Sequence, residues 1–183
     1  MSDSVTTART PTLTEVAEAM GLLEWSNPAN GRTVSWAFNC GADPAFREIR
    51  PCRKIAVEIA REWGQPEEVA AAVEYVVAEL MTNTMQHVPL AHEIGSVTLG
   101  ETPDGTLVVL VHDRSRARPY RRVDDDCRVG ADWSESGRGI SMVGSLCRSL
   151  AGRLDVVRDI DGRGKCVRAW LGPGREWDGL PQF

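Results

Sequence analysis

The stretch QPEEVAAAVEYVVAELMTNTMQHV, Gln65 to Val88, constrains this chain most. It predicts one long amphipathic helix. Pro66 suits a first turn, where a missing N–H costs nothing, and Glu67 and Glu68 face the positive end of the helix dipole. At about 100° per residue, Val73, Val77, Leu80 and Thr84 fall within about 60° of one another. Such a stripe has to be covered by a second layer. Yet Glu79, Asn83 and His87 follow one another at intervals of four. Asn83 and His87 lie beside the apolar stripe, and Glu79 lies at its edge. A buried amide or imidazole without a partner costs about 1–3 kcal/mol, so something must meet them. Spacing alone leaves a satisfied structural network and a ligand contact about level.

The remaining segments say what the covering layer is. TVSWAFN, Thr33 to Asn39, alternates, with Val34, Trp36 and Phe38 on one side, and predicts a strand. FREIRPCRKIAVEIAREWG carries an apolar stripe of Ile55, Ile59 and Trp63 and stops at Gly64. Pro51 within it means either a turn before a helix that begins near Pro51 or a kinked helix. IGSVTLGE, PDG and TLVVLVHD predict a hairpin, as do RLDVVRDI, DGRG and KCVRAWLG. Between the hairpins, GRGISMVGSLCRSLAG predicts a helix that opens on glycines and closes at Gly152. The order is strand, helix, helix, hairpin, loop, helix, hairpin. It predicts an α+β fold: a two-layer sandwich whose mostly antiparallel, mixed sheet is covered on one face by helices.

Residues 33–172 form the expected domain. Residues 1–32, broken by Pro11, Gly21, Pro28 and Gly31, are set outside it as a partly flexible extension, with LTEVAEAMGLLEW as a short helix. Residues 173–183 are an irregular tail. The polar stretch from Arg114 to Ser136 is too long for an ordinary connector, so it is a functional or a mobile loop.

Charge and composition exclude several classes. A net charge of −5 argues against direct nucleic-acid binding. No apolar run approaches the roughly 20 residues of a membrane span. The five cysteines are scattered, without a CxxC pair, which points to reduced thiols in a cytoplasmic protein.

Four places carry candidate chemistry. The Asn83 amide oxygen is a hard ligand suited to Mg²⁺, and the Glu79 carboxylate one turn earlier can accept a proton. Asp113 ends an apolar strand. Taken by itself, its plain role is capping a turn. Gly137, Arg138 and Gly139 open a helix whose free amides can bind an anion, although such a turn is common. The charges of the long loop, Arg114, Arg116, Arg118, Arg121, Arg122 and Asp124 to Asp126, suit a solvated face first and phosphate or partner contact second.

ELMTNTMQH resembles the N box of the GHKL ATPase superfamily, E-L-x-T-N-x-x-x-H, in the form typical of anti-sigma-factor serine/threonine kinases and their small bacterial relatives. VHDRSRARP resembles the first glycine box, GRGISMV the second, and RGKCVRAWL the closing G-K-T-V strand. The four occur in the family's order, and the likeness covers about residues 33–171. The resemblance implies a histidine-kinase-like ATPase fold that binds ATP and Mg²⁺. It implies Glu79 as general base, Asn83 as the Mg²⁺ ligand and His87 near the nucleotide. It further implies that Asp113 accepts a hydrogen bond from the exocyclic amine of adenine, a donor that a carboxylate selects over a carbonyl, with Ser115 as a further nucleotide contact, Gly137, Arg138 and Gly139 at the phosphates, and Lys165 and Cys166 on the strand beside Asp113. The sequence departs from the family in lacking both glycines of D-x-G-x-G after Asp113, and in having Cys166 where threonine is usual. The implied protein is an ATP-binding regulator, a kinase that phosphorylates or sequesters a partner such as a sigma factor or an antagonist protein. The alternative is a non-catalytic partner-binding module with a degenerate or purely allosteric nucleotide site. A homodimer is left open, with Leu22, Leu23 and Trp25 as its surface and Trp36 assigned to the core.

Overall fold

The computed structural model of the chain describes residues 23–27, 31–40, 45–87, 94–114 and 138–174. In chain order the elements are β1 (Leu23–Asn27), β2 (Gly31–Asn39), α1 (Ala45–Glu62), α2 (Glu67–His87), β3 (Ile94–Glu101), β4 (Leu107–Asp113), α3 (Arg138–Ser149), β5 (Arg153–Arg158) and β6 (Lys165–Leu171). The strands form one six-stranded sheet in the order β1-β2-β3-β4-β6-β5. Every described pairing is antiparallel, so the sheet is not mixed among the described residues. The α+β two-layer sandwich is present as expected.

Two local features differ from the sequence reading or choose between its alternatives. Leu23–Asn27 pairs with β2 from Leu23↔Ser35 to Asn27↔Gly31. Five residues of the stretch set outside the fold therefore belong to the sheet, and Leu23 to Trp25 are strand where a short helix was expected. The turn closes on Gly31 at φ 85°, a conformation only glycine adopts without strain. The helix α1 runs through Pro51 from Ala45. Pro51 has no N–H to give the Arg47 carbonyl, so the first turns lose one hydrogen bond while the apolar stripe holds the rest in place.

The helices share one core with one face of the sheet. Ile55, Ile59, Val73, Val77 and Leu80 pack with Val34, Trp36, Phe38, Val97, Leu99, Val109, Val111 and Val167. Gly95 sits under the Phe38 ring, where a Cβ would collide with it. The central strand β4 is buried at every residue. Its other face forms a second cluster, with Val108, Leu110, Cys166 and Trp170. The Arg153 guanidinium stacks 3.9 Å above the Trp170 ring, whose Nε1 donates to Asp155 at 3.1 Å.

Candidate functional site

The long helix α2 presents its stripe as its periodicity requires. Val73, Val77, Leu80 and Thr84 are buried in the core, Asn83 is 7% exposed, and Glu79 is half-buried at the edge. What meets Glu79 is the start of α3. A Cβ added at Gly139 would collide with the Glu79 carboxylate, so only glycine lets the acid come that close. The neighbouring turn of α2 makes a second contact, in which the Tyr75 hydroxyl donates to Met142 Sδ at 3.3 Å. Burial, and then the charge of Glu79, push the Tyr75 phenol above its ordinary pKa. The segment carrying the acid and the segment that opens on Gly139, about 60 positions apart in the chain, are thus in contact at the N-terminal end of α3, where a helix's first amides have no intrahelical partner.

The end of β4 is held from both faces. Asp113 is opposite Lys165 in register, and Lys165 Nζ donates to Asp113 Oδ1 at 2.7 Å. Both are buried, at 2% and 6% exposure. By strand alternation they share the helix-facing side with Val111 and Val167. His112 and Cys166 are on the other side. There His112 Nε2 lies 3.1 and 3.0 Å from the two carboxylate oxygens of Asp159. Gly164 lets the β5–β6 turn close on this strand end, because a Cβ there would meet both the Asp159 carboxylate and the Asp113 carbonyl oxygen. At the surface, Arg114 and Asp161 pair at 3.5 Å.

Residues 42–170 match the family model of the histidine kinase-like ATPase domain. The chain belongs to that family.

Among solved structures, the SiaB–SiaC complex from Pseudomonas aeruginosa contains a chain similar to this histidine kinase-like ATPase domain, with a TM-score of 0.49 and 12% sequence identity. The likeness covers 86% of this chain and 94% of that one. No curated protein matches the chain.

Of the residues expected at the site, Glu79 and Gly139 are in contact, Asp113 and Lys165 are in contact, and Asn83 is buried on the face of α2 that carries Leu80. Cys166 lies on the opposite face of the sheet from Asp113, within the second apolar cluster, and burial pushes its thiol up to about 12. Ser115 and Gly137 are outside the described residues, as are the side chains of His87 and Arg138 and the loop charges beyond Arg114. Three contributors escaped the sequence reading: Tyr75, the His112–Asp159 pair and Gly164. Period-two alternation in LVVLVHD does place His112 and Asp113 on opposite faces, but nothing local signals Asp159 as the partner of His112.

The family implies ATP with Mg²⁺, and the donor set fits at its phosphate end. The Gly139 contact holds Glu79 against a helix N-terminus. Among the described residues no group of three acidic, histidine or cysteine side chains could hold a metal. A magnesium ion would then rely on Asn83, phosphate oxygens and water, a donor set it accepts. The base end fits less simply, because the Asp113 carboxylate already accepts from Lys165.

Among the described residues, no helix is long and apolar enough to cross a membrane.

Proposed function

We propose that this histidine kinase-like ATPase domain binds Mg·ATP and acts as an anti-sigma-factor-type serine/threonine kinase, phosphorylating or sequestering a regulatory partner protein. One observation carries the reading: the Glu79 carboxylate is held against Gly139 at the N-terminus of α3. A general base and an anion-binding helix end side by side are what transfer of a phosphoryl group to a hydroxyl requires.

ATP would supply the phosphoryl group. Glu79 would take the proton of the attacking serine hydroxyl as ADP leaves, the backbone amides at the start of α3 would hold an anionic oxygen, and the Asn83 amide oxygen would be a magnesium ligand. Asp113 accepts a hydrogen bond from the exocyclic amine of adenine. His87, Ser115, Gly137 and Arg138 are proposed to line the same nucleotide on the strength of the family motifs alone. The partner, a sigma factor or an antagonist protein, rests on the same ground.

The test is equilibrium binding of ATP and of GTP with Mg²⁺ to the wild type, Asp113→Asn and Asn83→Ala, each checked for folding by circular dichroism. ATP should bind more tightly than GTP. Asp113→Asn should abolish binding, and Asn83→Ala should remove its dependence on Mg²⁺. With a serine-bearing antagonist as acceptor, Glu79→Gln should keep ATP binding and lose about 10²–10⁴-fold in transfer rate. A folded wild type that binds neither nucleotide at millimolar concentration overturns the kinase reading. A partner-binding module that lacks catalysis is the second reading, and the Lys165 ammonium on Asp113 is the observation that favours it.

A further inference from the structure

We infer that Lys165 is a built-in competitor for the carboxylate that reads the base, and that it sets both the affinity of the site and its discrimination between bases. The inference rests on the nucleotide site proposed above.

Nζ of Lys165 is 2.7 Å from Asp113 Oδ1, and both side chains are buried. The two residues end paired strands and are opposite each other in register, so the backbone itself sets them side by side. Gly164 packs against the Asp113 carbonyl oxygen, and the His112–Asp159 pair fastens the same turn from the other face. The ammonium is therefore delivered to the carboxylate by a fixed strand rather than by a wandering surface chain. A carboxylate offers acceptors only, and a charged ammonium is a stronger donor to it than a neutral aromatic amine. An incoming adenine amine has to displace or share the Lys165 contact.

Two consequences follow. Exchange of one charge-assisted hydrogen bond lowers the affinity for ATP by roughly tenfold. Discrimination also becomes shallow. A base with a carbonyl in place of the amine is rejected by a bare carboxylate, but it meets a donor when Lys165 is present.

The experiment measures binding of ATP and of inosine triphosphate, which carries that carbonyl, to the wild type, Lys165→Thr and Lys165→Gln. Calorimetry gives the affinities, and a melting curve establishes that each variant is folded. Lys165→Thr should bind ATP about tenfold or more tighter than the wild type while its affinity for inosine triphosphate stays level or falls, so the ratio between the two widens. Lys165→Gln keeps a neutral donor on Asp113 and should fall between them. If Lys165→Thr does not fold, Lys165→Gln decides by the same criterion. Folded variants that bind ATP no tighter than the wild type, or more weakly, overturn the inference and leave the proposed function standing. Absence of binding of either nucleotide to all three proteins overturns the nucleotide site itself, and the inference with it.

Discussion

Replacing Asp113 by leucine tests the energetic core of the site without any nucleotide. The carboxylate is 2% exposed and accepts from Lys165 Nζ at 2.7 Å. Asp113→Leu leaves a buried ammonium whose described ion pair is gone, and breaking a buried pair in this way costs about 3–5 kcal/mol. For a chain of this size, roughly 2–4 °C of melting temperature accompanies each kcal/mol, so the expected fall is about 6–20 °C. Lys165→Met removes the other half of the pair and should destabilise as well. The double variant Asp113→Leu/Lys165→Met removes both charges and fills their space with apolar atoms, and should return to within about 1 kcal/mol of the wild type. Urea denaturation followed by circular dichroism at constant pH gives all four stabilities, and a large coupling energy is the signature. An Asp113→Leu that loses less than about 1 kcal/mol, or a double variant as unstable as the sum of the singles, would falsify the view of a tight buried pair at the end of β4.

Other perturbations test neighbouring contacts. In Gly139→Ala the new Cβ meets the flexible end of Glu79, so the carboxylate yields by roughly 1 Å and the backbone stays put. Its melting temperature should be level with the wild type or slightly higher, since alanine favours the helix by up to about 1 kcal/mol. Phosphoryl transfer should nonetheless drop by about 10²-fold; unchanged transfer would count against Glu79 as the base. Gly164→Ala meets the Asp113 carbonyl oxygen, which is backbone and cannot swing aside, so a loss of about 1–3 kcal/mol is expected in urea titrations. A variant as stable as the wild type would mean the turn is not packed on β4. Burial pushes the thiols of Cys52 and Cys147 up to about 11 and that of Cys166 up to about 12, from an ordinary 9.0. The folded state thus favours the neutral thiol. These groups contribute no pH dependence below about pH 9. Above it the unfolded chain ionises first, and stability falls until pH 11–12. The urea midpoint should be flat from pH 8 to 9 and then decline, and a flat midpoint to pH 11 would refute the burial argument.

Most of the fold could be read from the sequence because each element carries its own period. The alternation of TVSWAFN, the stripe of α2 and the PDG and DGRG turns lie within single elements, and local rules suffice for them. The two departures came where local rules compete. Leu23–Asn27 is five residues long, too short for alternation to stand out, and its pairing depends on β2 across the Gly31 turn. Pro51 carries a real penalty in a helix, but Ile55 and Ile59 bury enough surface to keep the helix continuous across it. The all-antiparallel order of the sheet is likewise a property of pairing, which no single segment encodes.

The site divides along the same line. The buried Asn83 and the half-buried Glu79 follow from a 3.6-residue period, so the three polar residues at intervals of four have a local explanation for two of them. Their partners do not. Gly139 reads in sequence as a helix opening, yet in space its missing Cβ is the room the Glu79 carboxylate needs. Gly164 reads as a turn residue, yet it is the gap through which the β5–β6 turn reaches the end of β4. Lys165 is the sharpest instance. As one residue of a strand it has no assigned partner, and only the register of β4 with β6 places its ammonium on the one carboxylate that a nucleotide base would need. A family motif therefore names candidate residues, while cross-strand register decides whether two of them are already bound to one another.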